Sequence, residues 1–248
     1  MPEDLTPTAQ HDPDATDLVR RLEAVHERVR QAAEHAGRPA EDVRLMLATK
    51  TQPVQTVRAA VQAGVRLLGE NKVQELVAKG PGLADLSPTV HLIGHLQSNK
   101  VNAALRWAAC VQSVDSLELA ERLSRRCEAV DRDLEVMVQV NVSGEESKYG
   151  VAPAQATALA AAVAVLPRLR LTGLMTIGAN SDEDAVVRAG FAGLARLRDE
   201  VLASGLPGTG AAHELSMGMS GDLELAIAEG ATMVRVGSAV FGQRSVAG

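Results

Sequence analysis

Between Val43 and Gly69 the chain reads VRLMLATKTQPVQTVRAAVQAGVRLLG: a short apolar run, a stretch of helical composition, and a second short apolar run. Pro53 and Gly64 punctuate it. Two strands joined by a helical crossover lie parallel, because a parallel pair needs a long connection. The same unit recurs down the chain. Short apolar runs begin at Val43, Val65, Val90, Val111, Leu134, Leu169, His213 and Thr232, and between most of them lie helical stretches such as NKVQELVAKG, SLELAERLSRRCEAV and GDLELAIAEG. Eight alternating strands predict an α/β fold, a single (β/α)8 TIM-like barrel. The alternative is an open doubly wound sheet, which announces its ligand with a glycine fingerprint after the first strand. Here that place holds Lys50-Thr51-Gln52-Pro53, and the GLPGTG from Gly205 follows a helix, so no dinucleotide site is expected.

Outside this unit the first residues, 1–15, are acidic and carry prolines, and are expected to form a flexible tail before a barrel domain over 16–248. Thr16 or Asp17 is the expected cap of an added N-terminal helix running to His35, with Leu18, Leu22, Val25 and Val29 on one face. Little chain follows the eighth strand, so that helix is expected to fill the gap in the outer ring. A hydrophobic fraction of 46% over 248 residues supplies a large core, and with only Trp107, Tyr149, Phe191 and Phe241 it must be aliphatic. A net charge of −6 argues against nucleic acid as a partner. No apolar run approaches the ~18 residues of a membrane span, no basic leader opens the chain, and a cytoplasmic protein is expected. Cys110 and Cys127 are too few for a disulfide framework.

Strand alternation puts Arg44, Met46, Ala48 and Lys50 on one face, with Lys50 at the barrel mouth, where barrel enzymes keep their reacting groups. A lysine there, partly desolvated, offers a neutral amine to an aldehyde. The last two strands add LSMGMSGDLELAI, with Ser216 and Ser220 about Gly218, and VRVGSAVFG, with Gly237 and Ser238. Two Gly/Ser turns after strands seven and eight suit a phosphate. Arg235 shares parity with Met233 and Gly237 and faces the same side. Its alternatives are a donor to a ring nitrogen and an ion pair with a carboxylate such as Glu214. His91 and His95 lie too far apart on a strand for one metal ion, so no metal site is expected and His91 is read as a hydrogen-bonded lining residue. Glu70, Glu145 and Glu146 are read as solvated loop carboxylates rather than acid/base groups.

Several motifs in one order carry a resemblance: ATK at Ala48 to Lys50, GENKVQE from Gly69, HLIGHLQSNK from His91, NVSGEESKYG from Asn141, GLMTI from Gly173, and the two Gly/Ser turns. With these the chain resembles the pyridoxal phosphate homeostasis protein family, related to the alanine racemase N-terminal domain, over roughly residues 22–244. The resemblance implies pyridoxal 5′-phosphate (PLP) as cofactor and a Schiff base at Lys50. It places Arg235 at the pyridine nitrogen, Ser220, Gly237 and Ser238 on the phosphate, and Asn71 and Met217 along the cofactor. Lys72 departs from the Tyr or Arg expected of many relatives. A non-catalytic role in PLP homeostasis is expected, with PLP-dependent apoenzymes as recipients and a monomer as the working form. The alternative is an amino-acid racemase, with a lysine-dependent aldolase third. An arginine at the ring nitrogen weakens the electron sink. Racemisation also needs a second proton donor, and the only tyrosine, Tyr149, lies in a loop. Lys148 beside it receives no role from the sequence.

Overall fold

The computed structural model describes residues 13–242. Eight parallel strands, β1 (Arg44–Ala48), β2 (Leu67–Glu70), β3 (Thr89–Leu92), β4 (Cys110–Val114), β5 (Leu134–Gln139), β6 (Leu169–Met175), β7 (Glu214–Ser216) and β8 (Met233–Val236), pair in sequence order. β8 returns to β1 and closes the barrel, pairing Arg44 with Met233 and Leu47 with Val236. The open sheet is thereby excluded. Each apolar run read from the sequence overlaps one strand, with β2, β3 and β4 reaching one residue beyond the run.

The outer face of the barrel and the inner faces of the helices form one aliphatic core. Leu47, Leu68, Leu92, Val111, Val136 and Leu171 point outward into it, and Val57, Leu76, Leu123 and Phe191 meet them from the helices. The crossover helices are α2 (Val54–Gln62), α3 (Val73–Lys79), α4 (Val101–Ala104), α5 (Leu117–Ala129), α6 (Pro153–Ala164), α7 (Asp184–Ala203) and α8 (Leu223–Ala228). The interior is built differently. Met46, Leu67 and Met233 form one small cluster there, and Cys110, Met137 and Met175 another. Flexible methionine side chains fill an irregular space that aromatic rings would fill elsewhere. Polar side chains occupy the remainder.

Two crossover positions are short. Between β3 and β4 the sequence carries no long amphipathic stretch, and only a 3-10 turn and the four-residue α4 stand there. After β8 comes α9 (Ser238–Phe241), also four residues long. The N-terminal helix α1 (Pro13–His35) packs against α8 and α9 and so takes the vacant place. Leu18, Leu22, Val25, Val29 and Ala33 are its buried stripe. Arg28 reaches across it, donating to both oxygens of Glu224 at 2.8 and 3.0 Å and to the Ser220 carbonyl at 3.1 Å. The helix starts at Pro13, ahead of the expected caps Thr16 and Asp17, because proline is tolerated in the first turn where no N–H partner is needed. Asp17 instead pairs with Arg20 and Arg21 inside the helix. Residues 1–12, most of the expected flexible tail, lie outside the described residues.

Leu22 is 4% exposed, whereas Val19 on the other face of α1 is 39% exposed. Leu22→Ala is expected to cost about 2–5 kcal/mol through lost burial and a cavity, and Val19→Ala about 0.5 kcal/mol or less. Urea unfolding of the two variants checks whether α1 belongs to the cooperative unit.

Candidate functional site

Lys50 stands two residues beyond the end of β1, Asn71 follows β2, and Ser220 lies in the loop after β7. Arg235 is on β8, and Gly237 and Ser238 open the turn into α9. These six residues line one cleft of about 470 Å³ at the C-terminal end of the barrel, with Ala48, Ile93, Ile177, Met219 and Phe241 as its apolar wall. Met217 is not among its lining residues. Its side chain is wholly buried in the outer core, because Ser216 points into the barrel and the next residue therefore points out. Met219, two residues further on, reaches the cleft instead. Strand parity in GLMTI and HLIGHLQSNK is the signal that could have found Ile177 and Ile93.

At one end of the cleft the Ser220 hydroxyl takes hydrogen bonds from the Gly237 and Ala239 amides at 3.4 and 3.3 Å. Amides and a hydroxyl thus converge where an anion would be held. A side chain at Gly237 would bring its Cβ within 3.0 Å of the Ala48 carbonyl oxygen. The glycine is therefore needed first for close approach to β1, and this approach draws the β8–α9 turn to the side of Lys50.

Arg235 forms the floor. Its Nη1 donates to Ser216 Oγ at 2.8 Å and its Nη2 to the Thr176 carbonyl at 2.6 Å. Glu214 does not pair with it; that carboxylate holds Arg44 at 2.8 Å and accepts from Thr232. Burial pushes the guanidinium down to about 10, with only Asp222 opposing, so it remains a cation at neutral pH. The hydrogen bonds continue inward with a single polarity. Ser216 donates to Gln112 Oε1 at 2.7 Å, and Gln112 Nε2 donates to His91 Nδ1 at 2.8 Å. His91 therefore carries its proton on Nε2, and its reading as a hydrogen-bonded residue fits. The cavity it lines, however, is a separate one of about 350 Å³ that also takes in Arg44, Arg170 and Glu214.

Donor atoms of His91, Cys110 and Glu135 lie within 4.8 Å of one another. Two of the three are engaged elsewhere, and the third is a buried thiol. The His91 Nδ1 lone pair accepts from Gln112, Glu135 pairs with Arg170, and burial pushes the Cys110 thiol well up. Both cysteines are free.

The reading of Glu70 as a solvated carboxylate is corrected. It ends β2 at 2% exposure, and burial raises its pKa despite hydrogen bonds from Lys79 and Thr49. Glu145 is instead exposed to solvent on one side and paired with Lys148 at 2.6 Å, and Lys148 also donates to the Gly178 carbonyl. Lys148 thereby ties the loops after β5 and β6. Tyr149 is half exposed, its ring stacked on His95 with centroids 3.9 Å apart.

The family model of the alanine racemase N-terminal domain matches residues 21–245. A pyridoxal phosphate homeostasis protein of Pseudomonas aeruginosa is 47% identical over 227 residues, covering 92% of this chain and 96% of that protein. The chain belongs to the pyridoxal phosphate homeostasis protein family. Among solved structures, an unknown protein from Bifidobacterium adolescentis superposes with a TM-score of 0.91 at 45% identity, over 96% of this chain and all of that one. PipY of Synechococcus elongatus, a structure with PLP bound, gives 0.78 at 35% identity over 91% of this chain and all of that one. No helix among the described residues is long and apolar enough to cross a membrane.

Burial and the neighbouring Arg44 lower the His91 pKa to about 4 from an ordinary value near 6.5. A depressed histidine contributes stability that is fully present above about pH 6.5 and is lost as pH falls towards 4, because the unfolded chain takes up the proton first. The loss amounts to about 3 kcal/mol. Urea unfolding at pH 7 and pH 4.5 is expected to show a smaller drop for His91→Gln than for the unmodified protein.

Proposed function

We propose that this chain is a cytoplasmic PLP-binding protein that holds the cofactor through a Schiff base at Lys50 for intracellular homeostasis and does not turn over a substrate. The observation that carries the reading is one cleft lined by Lys50 at one wall, the Ser220 and Gly237 turn at another, and the buried Arg235 on its floor. The residues fit the cofactor. Amides and hydroxyls suit its phosphate, Ile93 and Ile177 its ring, and a lysine amine its aldehyde. The name of the Pseudomonas relative and the bound state of PipY support the same cofactor.

A role as carrier follows from what surrounds the cleft. Arg235 presents a permanent cation and no carboxylate, so a ring nitrogen facing it is not protonated, and carbanion chemistry gains little. Tyr149, the only tyrosine, stacks flat on His95 and does not line the cleft. Among the described residues lining the cleft, no tyrosine, cysteine or histidine offers the second proton donor that racemisation requires. Ser238 and Asn71 serve in this reading as phosphate and ring contacts. Met217 acts indirectly, by packing behind the loop that carries Ser220. PLP-dependent apoenzymes are the proposed recipients, and a monomer is the proposed working form, to be checked by sedimentation. Buried free cysteines suit a reducing compartment.

Purified protein mixed with PLP is expected to show the visible absorbance of a lysine Schiff base, and Lys50→Ala to abolish it. Borohydride reduction followed by peptide mapping should find the pyridoxyl group on Lys50, and its appearance on another lysine of the unmodified protein would overturn the assignment. Arg235→Gln is expected to move the absorbance maximum more than it speeds PLP loss. Gly237→Val is expected to do the reverse, since its Cβ displaces the turn from Ala48. Identical losses in the two would remove the division of labour between ring and phosphate. Alanine and serine racemisation should stay at background throughout.

A further inference from the structure

Both chain neighbours of Lys50 are gripped from outside the barrel. Lys79, the last residue of α3, is buried and donates through Nζ to the Thr49 carbonyl oxygen at 2.7 Å, to Glu70 Oε1 at 2.7 Å and to Glu75 Oε2 at 3.0 Å. Glu75 Oε2 also accepts the Thr51 backbone N–H at 2.6 Å. The Thr49 hydroxyl donates to Glu70 Oε1 at 2.5 Å. A carbonyl just before Lys50 and an amide just after it are thus tied to one ammonium–carboxylate pair on α3. Thr51 has a φ of +64°, a left-handed conformation that a β-branched residue adopts at a cost and keeps only when its surroundings impose it. The bond from its N–H to Glu75 is such a constraint.

Stability alone is a poor reason for this arrangement. Val73 and Leu76 already anchor α3 in the apolar core, and buried ion pairs seldom outperform apolar side chains of similar volume. What the pair does supply is a fixed direction for the backbone at Lys50. We infer that Lys79 and Glu75 are positioning residues, which hold the Thr49–Thr51 turn so that the Lys50 amine meets an aldehyde seated against Ser220 and Gly237. The inference rests on Lys50 being the attachment residue. Bond formation at Lys50 releases one water, and the strength of that bond depends on how little the lysine must rearrange.

Two probes separate positioning from general damage to the cleft. PLP reports the covalent step by its absorbance. Pyridoxine 5′-phosphate has the same ring and phosphate with an alcohol in place of the aldehyde, and reports the non-covalent cleft by calorimetry. Glu75→Ala removes the acceptor for the Thr51 amide, whereas Glu75→Gln keeps a neutral one. In Glu75→Ala the Schiff-base formation constant is expected to fall about tenfold, the loss of one charge-assisted hydrogen bond. Pyridoxine phosphate affinity should stay within about twofold, with Glu75→Gln between Glu75→Ala and the unmodified protein. An unchanged Schiff-base constant in Glu75→Ala would overturn the inference, as would parallel losses for both probes. Absence of a Schiff base at Lys50 in the unmodified protein would instead overturn the attachment reading, and the positioning role with it.

Discussion

The hydrogen bonds between β8 and β1 are the constraint on which the site depends. Closure sets Leu47 opposite Val236 and so delivers the Lys50 turn and the Gly237 turn to the same edge of the barrel, although 187 positions of sequence separate the two. An open sheet with the same strands would put β1 and β8 at different places and leave no cleft between them. Gly237 completes the approach, since any larger residue would press on the Ala48 carbonyl. Shape and chemistry thus meet at the seam of the barrel.

The second organising element is an uncompensated charge. Arg235 is buried with neutral acceptors, the Ser216 hydroxyl and the Thr176 carbonyl, and none of the ion pairs among the described residues includes it. Such a cation costs solvation energy and stays in place because its donors are directed by a hydrogen-bonded series through Gln112 to His91. Reversing the Gln112 amide would set its carbonyl oxygen against the His91 Nδ1 lone pair, acceptor against acceptor. The series therefore fixes the orientation of each member, and a group brought to Arg235 finds a donor that cannot turn away.

Most of the fold was legible because strand and helix periods alternate cleanly, and six of the seven expected cofactor-site residues line the observed cleft, five of them readable from parity or Gly/Ser turns and Asn71 from the family resemblance alone. Met217 was misplaced because family resemblance named a motif, LSMGMSGD, without deciding which of its two methionines faces inward. Parity from Ser216 turns Met217 outward, and Met219 reaches the cleft because the chain has left β7 and turns at Gly218, whose φ is +89°. Glu70 was misread because a glutamate at a strand end looks solvated in sequence. Its partner Lys79 lies nine residues on, at the far end of a helix, and only the packing of α3 shows that the two meet. Gln112 and Ser216 were not found as supports of Arg235, since nothing local to either residue points to a partner on another strand. The short α9 was visible in the little chain that follows the eighth strand.

The helix that completes the outer ring comes from the opposite end of the chain. Arg28 and Glu224 are 196 residues apart, and α1 can dock only after α8 and α9 exist. During synthesis α1 leaves the ribosome well before α8 and α9 and must wait for them. Its apolar stripe of Leu18, Leu22, Val25 and Val29 stays uncovered for most of translation, about 10 to 50 seconds at ordinary elongation rates. Contacts of such long sequence separation slow folding and expose the nascent chain to association. The charged face of α1, with Arg20, Glu23, Glu27 and Arg30, faces water, and the emergence of α8 and α9 allows the docking that fills the outer ring.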